Sequence, residues 1–489
     1  MNLAVWNSGL VAKSIEKIIV NLSKSCNVFV ICSSEFEKQN LQKKINNHVK
    51  EIVSTSDYFS HSKNISSKTK VLDEAKYFES KFNLKYIDII KSDRHIGKGF
   101  VKGAWYPESN LSSQSDYFSS LKLITQGIKF FDDFFSTYRI DAIVLEVASL
   151  NTKIACSVAR KKNIKIRVPH PSRIDDWYFF ASSEFIDFPG LKEVFKKNSN
   201  LNLSEQLEGC IGANDSYDIA KKEISNYLDY SSFIYTLRSL AYQCLQELYK
   251  YIIGNKKYSN YIFSQKLLAV WLYHTGIKKA KRENYFELSR ADNLNYIIFP
   301  LQLEPESSIM VMTPEFDSQE HLVHLLASNL PAGWILIIKE HPLALGTRPD
   351  GYIDRISSYP NTLCASPFDN SLDWCRKSKA VATINGSLAY EACFRGIPVI
   401  SFGKHNLINF LSYVFQVDSY KSLQESLNKI CSGKIDSKEK RLKQGITLKK
   451  SITDVSFKLN ASEFYSGYAD SEKIDLFSLK LIKSLENND

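Results

Sequence analysis

The sequence predicts an α/β fold of two doubly wound domains, and three observations predict it. The chain opens as strand, helix, strand: apolar residues 3–6, an amphipathic run over 10–22, then a strand over Asn27–Cys32. A second series of short apolar runs, each followed by a polar cluster, begins at Tyr296 and ends at Gly403. At 489 residues the chain exceeds what one ordinary core holds, so two or three domains are expected.

In chain order, residues 86–90 read as a strand and 141–145 (Asp-Ala-Ile-Val-Leu) as a buried strand. A helix over 152–161 and a strand over 164–168 complete a βαβ unit, which ends a first domain at about residue 190. Between 215 and 285, Phe233, Leu237, Leu240, Leu245, Leu248 and Ile252 recur at helical spacing, as do Ile262, Leu267, Leu268, Trp271 and Leu272, marking a helical connector or insertion. Strands follow at 296–300, 334–339, 362–365, 380–384 and 397–402, with helices at about 316–329, 369–377, 387–395 and 419–431. The tail over 473–485 reads as a helix that packs back across the domains. The expected division is 1–190, 191–290, 291–435 and 436–489.

Composition sets bounds on the chemistry. Hydrophobic content of 44% and charged content of 24% are those of a soluble globular protein. A net charge of +10 is mild for this length. It suits phosphorylated donors, an anionic glycan or an anionic membrane face; no motif supports a nucleic-acid partner. The run Lys278-Lys279-Ala280-Lys281-Arg282 reads as a solvated helix end. The nine Cys form no C-x-x-C pair and no zinc-type spacing, and Cys156 and Cys393 sit in apolar helical patterns. A reduced, cytoplasmic chain is expected, peripheral at the inner membrane at most. The N-terminus lacks a basic leader, and no run approaches the roughly 20 apolar residues of a span.

The polar clusters carry the candidate chemistry. His341-Pro342 follows the strand over 334–339; proline keeps His341 extended at the strand tip, where its ring can donate to a phosphate oxygen with Lys339 nearby. Asn385-Gly386-Ser387 precedes a helix: Gly386 permits a tight turn, Ser387 is a good N-cap, and a helix start suits a phosphate. Glu391, one turn on, is placed to accept from ribose hydroxyls and reads equally as a solvated helix residue. Gln302, Glu304 and Glu306 occupy the loop after the first strand of this domain, suited to sugar or base; Glu306 reads equally as surface charge.

In the first domain Glu146 follows the buried strand directly and is a candidate base or nucleophile, or the N-cap of the next helix. Asp93-Arg94-His95, ahead of Gly97, Gly99 and Gly103, reads as a basic cleft-side loop for acceptor or phosphate. His170-Pro171-Ser172-Arg173 offers a cation to a carboxylated sugar, or is a structural turn. The acid pairs Asp132-Asp133 and Asp175-Asp176 follow no clear strand, so no metal site is expected. There is no G-x-S-x-G, H-E-x-x-H or opening G-x-G-x-x-G.

At these residues the chain resembles the bacterial capsule polysaccharide biosynthesis family, which includes the β-Kdo transferases. The likeness rests on Leu301-Gln302, Lys339-Glu340-His341-Pro342, Asn385-Gly386-Ser387 with Glu391, and Gly396-Ile397-Pro398-Val399-Ile400. It implies a GT-B-like pair of Rossmann-like domains facing a cleft, and a cytoplasmic, metal-independent transferase without a cofactor. The implied donor is a CMP-activated acidic sugar, usually CMP-Kdo; the acceptor is a glycan or glycolipid, with capsule-assembly proteins as further partners. By the same likeness His341 and Ser387 would hold the phosphate, and Glu391 the ribose. The His-Pro pair is also similar to that of bacterial sialyl- and polysialyltransferases. One departure stands out: the family's acid-Gly-aromatic element after a first-domain strand is replaced by His170-Pro171-Ser172-Arg173, leaving Glu146 or Asp93 to supply the carboxylate. A glycerophosphotransferase using CDP-glycerol would need a second histidine motif, for which His405 is the nearby residue. A scaffold of capsule assembly is the non-enzyme alternative.

Overall fold

A computed structural model describes residues 1–56, 58, 65, 67–93, 116–188, 190–200, 233–252, 263–304, 306–316, 318–349, 351–403 and 407–486. These residues form two compact units. The first takes the described residues up to Leu191 together with those from Val455 onward; the second takes those of Lys192–Asp454.

The first unit is a seven-stranded sheet in the order β13-β6-β5-β4-β1-β2-β3. β1 (Asn2–Trp6), β2 (Asn27–Cys32), β3 (Glu51–Ser54), β4 (Ala142–Val144) and β5 (Lys165–Pro171) run parallel. β6 (Trp177–Ala181) and β13 (Phe457–Lys458) add antiparallel at one edge. The opening strand–helix–strand reading holds, with β1 registered on β2 from Asn2 against Asn27 to Trp6 against Ile31. Residues 86–90 are corrected: they form the helix Tyr86–Lys91, because Tyr86 and Ile89 bury one face at helical spacing. The long helix Tyr117–Thr137 starts where Asp116 accepts from the backbone N–H of Phe118 and Ser119.

The chain returns to complete this unit. The helix Ser471–Glu486 buries Ile474, Phe477, Leu481 and Leu485 in one cluster with Ile15, Ile18 and Leu22 of the helix Ile15–Leu22. The tail therefore packs on the first unit, and all but the last residue of the helix Lys438–Val455 lies in the second.

The second unit is a six-stranded, all-parallel sheet in the order β12-β11-β10-β7-β8-β9. Its strands are β7 (Asn295–Pro300), β8 (Trp334–Lys339), β9 (Thr362–Ala365), β10 (Ala380–Thr383), β11 (Val399–Ser401) and β12 (Val414–Gln416). Tyr296, Ile297, Ile298 and Phe299 are all essentially unexposed, so both faces of the central strand are covered, as a parallel sheet requires. In each sheet the strand order reverses beside the first strand, which makes both units Rossmann-like and doubly wound.

The connector helices are Phe233–Ile252 and Phe263–Ala280. No helix among the described residues is long and apolar enough to cross a membrane.

Candidate functional site

In an open α/β sheet, ligands bind outside the carboxyl ends of the strands where the strand order reverses. In the second unit that point lies between β7 and β10, so the loops that follow them, from Leu301 and from Ile384, share it. Gln302 is held by Gln319, which accepts from its backbone N–H at 2.6 Å and donates to its carbonyl at 3.0 Å. Its side chain is buried and leaves Oε1 without a hydrogen-bond partner. That amide lies against Gly386: a Cβ there would come within 3.2 Å of Gln302 Nε2 and 2.8 Å of Thr383 Oγ1.

The turn itself is locked. Thr383 Oγ1 accepts the Gly386 N–H at 2.9 Å, while Asn385 Nδ2 donates to the carbonyl of Ser308 and to Thr313 Oγ1. The structure thus ties the Asn385 amide to the helix Ser307–Met310 instead of presenting it to a ligand. Ser387 departs from the N-cap expectation. It has helical φ and ψ (−62°, −29°), is exposed, and its hydroxyl caps no backbone N–H of the helix Leu388–Phe394. Glu391 sits one turn further, half-buried.

β8 delivers the next group. His341 is extended (φ −77°, ψ 127°), as its proline demands, yet a 3-10 turn, Pro342–Ala344, begins at once behind it, and its Nδ1 accepts the Leu343 N–H at 3.2 Å. Burial first, then the Lys339 and Arg348 cations, lower its pKa to about 4, against an opposing push from Glu340. The ring is therefore neutral near pH 7. With Nδ1 accepting, its proton sits on Nε2, a donor fit for a phosphate oxygen.

Lys339 is not arranged as expected for phosphate contact. Its ammonium is buried and donates to the Pro367 carbonyl at 3.0 Å, and burial lowers its pKa to about 8. Glu304 is likewise engaged. Arg348, which the sequence reading missed, donates to Glu304 at 2.6 Å, to both oxygens of Glu340 at 2.9 Å, and to the Gln302 carbonyl at 2.7 Å. One guanidinium so fixes the loops after β7 and β8 together. The signal for it was indirect: buried acids on two neighbouring strand ends require a cation.

Behind these loops the helix Phe263–Ala280 approaches backbone to backbone. A Cβ on Gly276 would fall 2.3 Å from Gly346 N, so only glycine fits. At the carboxyl end of β9, beside the Lys339–Pro367 contact, a cavity of about 250 Å³ is lined by Tyr285, Phe286, Glu287, Ser366, Asp369 and Asn370.

In the first unit the corresponding point lies between β1 and β4. Glu146, two residues past β4, accepts the Leu10 N–H at 3.0 Å, and burial raises its pKa. Asp93 follows a helix, not a strand, and accepts the Leu150 N–H at 3.0 Å, so it anchors the start of the helix Leu150–Lys161. His170 lies within β5, opposite Phe179 of β6, a strand the sequence reading missed. Its Nδ1 turns back to the Pro171 carbonyl at 2.8 Å, and burial with the Arg173 charge lowers its pKa to about 3, so it supplies no cation near neutrality. Arg173 is exposed in the β5–β6 turn at φ 68°. Asp132 is engaged by Lys81 and Lys162. Arg94 and His405 lie outside the described residues.

Residues 225–407 match the family described as capsule polysaccharide biosynthesis protein. The chain carries a region of that family. The match spans Gln302, His341, Gly386 and Glu391. No curated protein matches the chain. Among solved structures, a putative UDP-N-acetylglucosamine 2-epimerase from Listeria monocytogenes aligns over 100% of this chain and 97% of its own, at 8% identity and a TM-score of 0.28. The beta Kdo 2,7 transferase KpsC of Thermosulfurimonas dismutans aligns over 66% of this chain and 90% of its own, at 11% identity and a TM-score of 0.31. The wall teichoic acid polymerase TagF aligns over 44% and 49%, at 13% identity and a TM-score of 0.24.

Proposed function

We propose that the chain is a glycosyltransferase of capsule polysaccharide assembly whose second unit binds a nucleotide-activated sugar. The observation that carries this reading is that the capsule-family region spans the β7–β10 switch point, whose strand-end loops carry the Gln302 amide and Ser387, with His341 on the loop after the neighbouring β8. The donor we favour is a CMP-activated acidic sugar, CMP-Kdo first, on the strength of the His341-Pro342 and Asn385-Gly386-Ser387 resemblance. As the glycosidic bond breaks, negative charge grows on the leaving phosphate. Donors placed beside it, the His341 Nε2–H and the Ser387 hydroxyl, stabilise that charge. Glu391 takes the ribose hydroxyls. Glu146, with its raised pKa, supplies the carboxylate of the first unit.

No resident metal or cofactor is part of this reading, and an unchanged rate after chelator treatment tests that. The partners are the sugar donor, a glycan or glycolipid acceptor, capsule-assembly proteins and the cytoplasmic face of the inner membrane. Calorimetric titration with CMP, with UMP and GDP as controls, decides the donor. Selective CMP binding that weakens in Glu391→Ala supports it, and no preference for CMP refutes it. Release of CMP from CMP-Kdo by the purified chain separates the enzyme from a non-catalytic scaffold.

A further inference from the structure

The first unit has a switch point of its own, of which the proposed reaction uses Glu146 alone. The turn after β1, Asn7-Ser8-Gly9, lies beside Glu146, which follows β4. The Asn7 amide has a fixed orientation, because its Nδ2 donates to Glu37 Oε1 at 2.5 Å. Its other end, Oδ1, is buried without a partner in a residue only 8% exposed. Ser8 Oγ on the same turn is buried and unpartnered as well. The turn is not sealed: Gly9 is exposed, and Ser8 and Glu146 are half-buried.

Buried polar atoms in folded chains are almost always satisfied, so two adjacent orphans call for a visiting group. Its chemistry follows from what is missing. Asn7 Oδ1 and the Glu146 carboxyl both accept, so the visitor must donate. A phosphate brings acceptors and negative charge. The Leu10 N–H, which could have received it, is already given to Glu146. Sugar hydroxyls donate and accept, and so fit all three groups. Tyr465 is half-exposed on the helix Ala461–Ser466, which packs against the helix Gly9–Ala12 of this turn, and its aromatic ring suits a sugar ring.

We propose that Asn7, Ser8, Glu146 and Tyr465 form a second site, one that takes a neutral, hydroxyl-rich sugar and rejects phosphate. The inference rests on the glycosyltransferase reading only in identifying that sugar as part of the acceptor.

The test uses the full chain and follows amide hydrogen exchange at residues 8–11. The probes are the methyl β-glycosides of glucose, galactose and N-acetylglucosamine, with inorganic phosphate as the control. At least one glycoside should slow exchange there and phosphate should not. Ser8→Ala removes an orphan hydroxyl, so it should fold with an unchanged or higher Tm and yet bind the glycoside about tenfold more weakly. Glu146→Gln, which keeps the side chain's shape, should weaken binding too. No protection by any glycoside, protection by phosphate, or equal affinity in both variants would each overturn the proposal. CMP titrated into the same samples reports on the second unit separately, so a failure there strikes the donor reading and leaves this one standing.

Discussion

Arg348 grips Glu340 with two parallel hydrogen bonds, both 2.9 Å, and the pair is almost wholly buried. Removing the guanidinium would strand Glu340 and Glu304 without the one cation that hydrogen-bonds both. Arg348→Met should therefore cost the second unit about 3–5 kcal/mol, the usual penalty for breaking a buried pair from one side. Arg348→Lys should recover only part, since one ammonium cannot reproduce the fork. Two-domain chains need not unfold in one step, so the readout is hydrogen exchange at residues 301–304 and 339–340. Unchanged exchange there in Arg348→Met would refute the account.

His341 makes two separable predictions. As a donor to phosphate, its loss in His341→Ala should weaken CMP binding by about ten- to hundredfold, or roughly 1.5–3 kcal/mol. As a buried neutral ring, it also links stability to pH. Its folded pKa of about 4 lies below the ordinary 6.5, so between those values the unfolded chain holds the proton and the folded chain does not. Stability of the second unit should then rise with pH across that window, by at most about 1.4 kcal/mol per unit, and be lost as pH falls through it. Exchange rates in the second unit from pH 4 to 7 should show a flatter slope in His341→Asn. His170, lowered to about 3, gives the first unit the same sign independently.

Much of this site could be read from the sequence because strand ends announce themselves. Apolar runs at 296–300 and 334–339 fixed β7 and β8 closely, and the polar residues after them had to lie at the sheet's carboxyl edge. Side-chain direction was another matter. Nothing local says that Lys339 turns inward to Pro367, or that Asn385 spends its amide on Ser308. Those partners lie 28 and 77 residues away, and the long-range fold alone decides them. β13 was missed for a related reason: an edge strand as short as Phe457–Lys458 has no periodicity to detect. The helix Tyr86–Lys91 misled because six residues with Ile89 and Ile90 adjacent fit either period.

Gly9 and Glu146 allow a comparison of two glycine variants. A Cβ on Gly9 would sit 1.2 Å from Glu146 Oε2, at a φ of +55°. Gly333 also has positive φ, +84°, but nothing lies within 4 Å of its would-be Cβ. Gly333→Ala should thus cost only backbone strain, about 1–2 kcal/mol. Gly9→Ala should cost that and also expel the Glu146 carboxylate from the Leu10 N–H, releasing the start of the helix Gly9–Ala12. Local exchange at Leu10 distinguishes them: faster in Gly9→Ala, unaltered in Gly333→Ala.

The last prediction concerns the connector. Gly276 on the helix Phe263–Ala280 meets Gly346 backbone to backbone, and a Cβ on Gly276 would lie 2.3 Å from Gly346 N, 2.5 Å from its Cα and 2.8 Å from the Leu345 carbonyl carbon. No flexible side chain can yield, so either the helix or the turn at Leu345-Gly346 must shift. Overpacking of this kind typically costs about 1–3 kcal/mol. The turn lies between His341 and Arg348, so its displacement should loosen both the imidazole and the guanidinium. Gly276→Ala should therefore weaken CMP binding without touching any residue assigned to the ligand, while hydrogen exchange in the first unit stays as in the parent. Equal CMP affinity in the variant would mean that the connector is structurally independent of the His341 loop.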